Sequence, residues 1–377
     1  MTASRSLYRK ALHGTGMAFM LPVLAALGAW TDVPMPRYRV VDLGTLGGAT
    51  SNGEAINERG QVAGWSDTAG GNRHAFLYSD GTMQDLGTLT GGSDSYATAL
   101  NDRGQVVGYS GINGLGQQFP EIYQGFVWDQ DGMKSLGALF CPCSYNDRYG
   151  ASGGYTINDK GWIGGDSETV RGSWVLHATF WRDGSLQDLG GGAGDWSISR
   201  LFGLNTSGVA VGDYAANAGQ QDVFNRQASL WRSGARTDLG TLPGDLSSTA
   251  LAVNVRGMTV GWSGTSNGSV SHAFIWSGGS MHDLGALHSG ANSAALAIDA
   301  LGDVVGWADA SDGTPHAFLW RAGHMQDLNQ SIPEYSGWVL LQASGINRRG
   351  EITGTGLHDG QTHAFLLTSS EGGDGGG

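Results

Sequence analysis

Five of the ten histidines recur at one place in a repeated stretch: His74 in "HAFLY", His177 in "HATFW", His272 in "HAFIW", His316 in "HAFLW" and His363 in "HAFLL". Imidazoles at a regular spacing raise the question of a metal centre or a proton relay. Equivalent positions in successive repeats stand too far apart to share one ion, so no metal site and no cofactor is expected from them. Each of these histidines begins one strand beside an Asp that ends the next. In the second repeat both partners change together, to Gln124 and Ser135. A structural pair in each repeat is the expectation.

Cys141 and Cys143 stand in "FCPCS". Oxidation is the default in an exported chain, yet a Cys-Pro-Cys bridge closes a tiny ring against the preferred disulfide geometry. A strained intrachain disulfide is expected, with pairing between chains as the alternative. Thiolate metal binding lacks two further suitable ligands nearby. No G-x-S-x-G elbow, phosphate loop or H-E-x-x-H occurs. Asp147, Glu168, Asp195 and Asp222 could supply an acid pair for glycoside chemistry, but spacing cannot establish one. No catalytic residue is therefore assigned.

The elements that must position these groups repeat seven times. "EAINERGQVAGWS" at 54–66 returns as "TALNDRGQVVGYS" at 98–110 and "LAVNVRGMTVGWS" at 251–263. Its anchor recurs as Asn57, Asn101, Asn158, Asn205, Asn254, Asp299 and Asn347, at intervals of 44 to 57 residues. Gly follows three residues later, as Gly60, Gly104, Gly161, Gly208, Gly257, Gly302 and Gly350. Asn or Asp opening a type I turn bonds its own backbone, and Gly at the fourth position accepts left-handed geometry. A further Gly (Gly64, Gly108, Gly165, Gly212, Gly261, Gly306, Gly354) lies inside the second strand, where it packs nothing. It makes sense where another backbone or a large ring approaches, as in sheets stacked face against face.

The "HAF" hairpin follows each of these. From Tyr78 to Met83, Trp128 to Met133, Trp276 to Met281 and Trp320 to Met325 the span is fixed, which fixes a turn and a register. Two hairpins per repeat make four strands, and such units at this period predict an all-β, seven-bladed β-propeller. The last "HAFLL" lacks a following Asp-Leu-Gly, whereas "YRVVDLG" at 38–44 precedes the first turn. The N-terminal strand is therefore expected to close the ring.

"HAF" with "DLGTLGG" at 42–48 and the Asn-turn strand resembles the HAF family of extracellular repeat proteins, over about residues 38–367. Repeats three and four depart from it, with Thr179 and Ser229 where Phe is usual. The resemblance implies secretion and repetition, and brings no activity or catalytic residues with it.

Length varies only in the connections between hairpins and between blades, which emerge on one face of such a disc, where function is usually carried. From 111 to 226 these loops are long and hold Phe119, Tyr123, Tyr145, Tyr149, Trp174, Trp196 and Phe224. Aromatic side chains there suit sugars or protein surfaces. Alternatively they plug the centre of the ring or pack on each other.

Arg5, Arg9 and Lys10 precede the apolar "MAFMLPVLAALGAW", the layout of a secretory signal peptide over residues 1–28. Residues 29–37 read as a short linker, 38–368 as the propeller and 369–377 as a Gly-rich tail. The mature chain would carry 18 basic against 34 acidic side chains, a balance that repels phosphate backbones and excludes nucleic acid as partner. No later segment is apolar enough to span a membrane. The sequence thus points to a secreted, extracellular or periplasmic monomer that binds a glycan or protein. A hydrolase or lyase using loop carboxylates and a purely structural surface protein are the alternatives.

Overall fold

The computed structural model describes residues 36–112, 122–139, 150–169, 175–190, 197–216, 226–265 and 270–370. Seven four-stranded antiparallel sheets follow one another along them. Blade one consists of Gly47–Ile56, Val62–Thr68, Arg73–Ser79 and Thr82–Asp85. Blades two to six occupy 95–135, 152–188, 198–240, 247–285 and 293–327. Blade seven takes Trp338–Ile346, Ile352–His358 and Gln361–Ser369 from the C-terminal end, and its outer strand is Tyr38–Asp42, paired from Tyr38↔Ser369 to Asp42↔Phe365. The ring is closed as expected, by the N-terminal strand.

The Asn turns form as the residue types require. Gly60 N–H donates to the Asn57 carbonyl at 3.0 Å, and the Asn57 side-chain oxygen accepts from Arg59 and Gln61 N–H. The seven turn glycines have φ between 72° and 105°. The Asn amide does something further: it reaches into the next blade. Asn57, Asn101, Asn158, Asn205 and Asn254 each donate Nδ2 to the carbonyl of the following anchor at 2.9–3.1 Å, and Asn347 donates to Asn57. Only the step from blade six to seven lacks this bond, because Asp299 has no amide to give. Its carboxylate instead accepts from Leu301, Gly302 and Asp303 N–H. Asn101→Asp should therefore cost about 1–3 kcal/mol by stranding a buried carbonyl. Asp299→Asn should complete the circle and gain about 0.5–1 kcal/mol. Urea unfolding of both variants checks this, and shifts of the same sign would contradict the circle's role.

Inner strands share a bulge at an equivalent place in every blade, between Gly53/Ala55, Ala97/Ala99, Gly154/Thr156, Leu201/Gly203, Ala250/Ala252, Ala295/Ala297 and Ala343/Gly345. The bulge explains the second-strand glycines. A Cβ at Gly64 would collide with the Asn52 carbonyl oxygen and lie 3.0 Å from the Phe76 ring. Both groups belong to the same blade, so the close approach is made across the blade's own strands and not between stacked sheets. A bulge brings the inner-strand carbonyl inward, which only a residue without a side chain can tolerate.

Blades join through apolar layers. Ala63, Ala75 and Leu77 of blade one pack with Ala97, Val106 and Phe126 of blade two, and Phe318 of blade six packs with Val260 and Ala273 of blade five. Serines add polar staples: Ala75, Ala178, Ala228, Ala273 and Ala364 N–H donate at 2.8–2.9 Å to Ser95, Ser199, Ser248, Ser293 and Ser51 of the next blade. Between blades six and seven, where "Asp-Leu-Asn" replaces "Asp-Leu-Gly", Asn329 bonds both backbone groups of Leu340 instead. In blades three and four, Thr179 and Ser229 stand in for Phe. There Trp181 and Trp231 are buried and donate their indole N–H to the Leu136 and Leu189 carbonyls.

Candidate functional site

The repeated histidines meet their carboxylates as the residue types predict. Nδ1 to Asp distances are 2.9 Å for His74–Asp85, 3.0 Å for His177–Asp188, 2.9 Å for His272–Asp283 and 2.7 Å for His316–Asp327. In blade two Ser135 donates to Gln124 at 2.9 Å. These pairs tie the third strand to the fourth. His177 next to Asp188 and the Gly190 N–H hold that carboxyl below the usual range, although its own burial pushes the other way.

Of the loop aromatics expected to bind, Tyr123 falls within the described residues. Phe119, Tyr145, Tyr149, Trp174, Trp196 and Phe224 lie outside them, as do Cys141, Cys143, Asp147, Asp195 and Asp222. Tyr123 sits in the third strand of blade two, Ile122–Asp129, opposite Gly111. Its ring is 5.6 Å from Tyr109 and 6.3 Å from Tyr96. Tyr96 and Tyr109 are a cross-strand pair, stacked at 5.1 Å and 24°. Trp65 of blade one meets Tyr96 edge-on at 6.0 Å. Tyr109 continues to Tyr155 of blade three at 6.4 Å, and Tyr155 to Phe202 of blade four at 5.6 Å. All are half-buried, so the rings rest on the protein and keep part of their surface in solvent.

Beside Trp65 and Tyr96 a groove of 540 Å³ separates blades one and two, lined by Ala49, Asp67, Thr68, Arg73, Asp94 and Tyr96. Arg73 is exposed and lies over the Trp65 ring, 4.6 Å from its centroid. Asp67 holds the Arg73 Nε at 3.2 Å through one oxygen and accepts from the Thr50 hydroxyl at 2.5 Å through the other. Asp94 accepts from Arg73 N–H at 2.8 Å and from the Ser93 hydroxyl at 2.6 Å. Both carboxylates are thus committed to shaping the groove. Rings set largely edge to face, with a guanidinium over Trp65 and acceptors beside it, can pack the apolar face of a sugar and bond its hydroxyls.

Nothing singled out in the sequence pointed to the position after each second-strand Gly, yet it supplies Trp65 and Tyr109 to these rings. It reads Trp65, Tyr109, Asp166, Asp213, Trp262, Trp307 and Thr355 around the ring. The two aspartates are buried. Arg200 grips Asp213 with Nε at 3.2 Å and a terminal nitrogen at 2.6 Å, and Arg226 adds a contact at 3.2 Å. Burial pushes Asp166 up to about 7 against the pull of Arg200, and Tyr155 donates its hydroxyl to it at 3.3 Å. Burial likewise raises Asp213. With Asp166 3% and Asp213 0% exposed, Asp213 braces the two arginines and Asp166 holds Tyr155. Burial also raises Glu54, at the blade-one bulge, to about 7, against a hydrogen bond from Trp65.

No protein-family model matches the chain, and no curated protein matches it. Solved structures do. A puromycin hydrolase superposes with a TM-score of 0.54 at 10% identity, over 92% of this chain and 55% of its own. A puromycin-hydrolyzing peptidase of Mycobacterium tuberculosis gives 0.51 at 11%, over 90% and 55%. The β-propeller domain of the Trilobed protease from Pyrococcus furiosus gives 0.49 at 11%, over 72% and 82%. The chain spans about half the length of the two hydrolases. At such identities the likeness is one of fold, and the chain is a seven-bladed β-propeller carrying a surface aromatic cluster.

Proposed function

We propose that this chain is an exported binding module that recognises an extracellular glycan through the aromatic shelf of blades one and two. The shelf of Trp65, Tyr96, Tyr109 and Tyr123 beside the Arg73 groove carries the reading. Such a cluster, half-exposed and flanked by Arg73, Asp67 and Asp94, favours the CH face of a sugar over a flat apolar partner. The resemblance to HAF repeats and the signal-peptide layout support export. Two features support placing recognition on this side: the Asn-turn side is tied bond by bond, and the variable connections lie opposite it.

A glycan array probed with residues 29–377 tests the reading. Binding to a defined set of glycans is expected, and a wholly negative array with a folded protein would overturn it. Release of sugar during that incubation, abolished by Asp67→Asn with Asp94→Asn, would favour the hydrolase alternative instead.

A further inference from the structure

In blade seven the His–Asp pair gains a second imidazole. Asp42 ends the N-terminal strand, His363 lies in the last strand, and His358 ends the strand before it. His358 Nδ1 is 3.0 Å from Asp42 Oδ2, and His363 Nδ1 is 3.0 Å from that same oxygen. Ligand-type atoms of the three residues all lie within 4.8 Å of one another. The other oxygen, Oδ1, is engaged by the Gly44 N–H at 2.8 Å and also by His363 at 3.0 Å. Oδ2 is thus the vertex both imidazoles share. Around an ion with bonds of about 2.0–2.1 Å, neighbouring tetrahedral ligands stand roughly 3.3 Å apart. The nitrogen–oxygen separations need change by only a few tenths of an ångström.

The second imidazole is also held in place. Trp338, 8% exposed, stacks on the His358 ring at 4.7 Å and 5°. Asp359 lies 3.9 Å from His358 Nε2, on the far side of the ring, where a carboxylate orients a ligating imidazole. Nothing in the repeat asks for His here. The corresponding residue is Thr68 in blade one, Thr169 in blade three and Thr265 in blade five. An ion shared between blades was excluded by distance, but this cluster lies inside one blade.

We propose that Asp42, His358 and His363 form a site for zinc or a similar divalent transition ion, with water completing the coordination, and that the ion latches the ring shut. Two imidazoles and one carboxylate suit such an ion better than calcium or magnesium. The location gives the site its consequence. It ties the N-terminal strand to the C-terminal hairpin at the joint where the circle is closed without a covalent link. An ion that binds only the closed ring stabilises it by mass action.

Chelator-treated protein titrated with zinc, by calorimetry and by thermal melting, tests the latch. One equivalent should bind, and Tm should rise with zinc concentration. His358→Thr, which restores the residue of three other blades, should remove the rise while leaving the metal-free Tm close to the parent. His316→Gln in blade six should leave the rise intact. Cobalt(II) bound to the unaltered protein should show the visible bands of a tetrahedral site, a readout independent of any variant. A parent without a zinc-dependent rise, an equal rise in His358→Thr, or featureless cobalt spectra would overturn the proposal.

Discussion

Removing residues 36–44 should leave a protein that aggregates or no longer melts cooperatively. The lost strand supplies the fourth rung of blade seven, and with it Tyr38 and Leu43, 4% and 5% exposed. Burying side chains of this size contributes about 1.5–3 kcal/mol each. Val40 and Val41 pack at its edge as well. Their combined loss is comparable with the ~5–15 kcal/mol that keeps a domain folded. The deletion also bares the edge of Gln361–Ser369, which carries Leu366 and Leu367, and an unpaired apolar edge is a template for association. A peptide of residues 36–46 added in trans should restore part of the lost stability by taking up the vacant edge. Size-exclusion chromatography and thermal melting decide the matter. A shortened protein that stays monomeric and melts like the parent would show that closure contributes little.

Gly108→Ala should be nearly as damaging, although it adds one methyl. The new Cβ would run into the Tyr96 carbonyl oxygen and lie 3.0 Å from Ala97 Cα. Both are backbone atoms of the bulged inner strand, so no side chain can swing aside. The strand must either shift or lose its bulge, and we expect a loss of about 3 kcal/mol or more. Gly70→Ala, in an exposed loop whose nearest neighbour would be the Thr68 hydroxyl at 3.7 Å, should stay within about 0.5 kcal/mol of the parent. Similar urea midpoints for the two variants would contradict the bulge account.

What the sequence made legible was what it repeats. Seven turns, six opened by Asn and one by Asp, gave the blade count, and the orphaned "YRVVDLG" gave the closure. The constant span from Tyr78 to Met83 gave a register that holds, since those residues stand opposite one another, as do Trp276 and Met281. The joint change to Gln124 and Ser135 disclosed the His–Asp pairing. Contacts between blades were hidden because a repeat read alone shows only its own strands. The Asn57 amide reaches the Asn101 carbonyl 44 residues on, and no local rule requires that. The close approach at Gly64 was foreseen, but its source was not, because a bulge in the inner strand has no residue-type marker.

The site was legible in kind more than in place. Of the aromatic residues in the long loops, only Tyr123 lies among the described ones. Trp65, Tyr96 and Tyr109 belong to the strands, where aromatic residues read as core. The visible signal for Trp65 and Tyr109 was the residue after each second-strand Gly, aromatic in blades one, two, five and six and Asp in three and four. His358 carries no such signal for the opposite reason, since it stands outside the repeated His position.

The central claim is that the aromatic face of blades one and two recognises a ligand. It is tested most directly by titrating one glycan from the array against three proteins: the parent, Arg73→Ala with Tyr96→Ala, and Leu301→Ala. Arg73 and Tyr96 line the groove, whereas Leu301 is 65% exposed in the Asp299 turn on the opposite side. Aromatic and arginine anchors usually carry most of a binding energy, so the double variant should lose about 100-fold or more in affinity. Leu301→Ala should bind like the parent, and melting curves should confirm that all three are folded. Equal affinity for the parent and a folded double variant would contradict the claim and move recognition off this face.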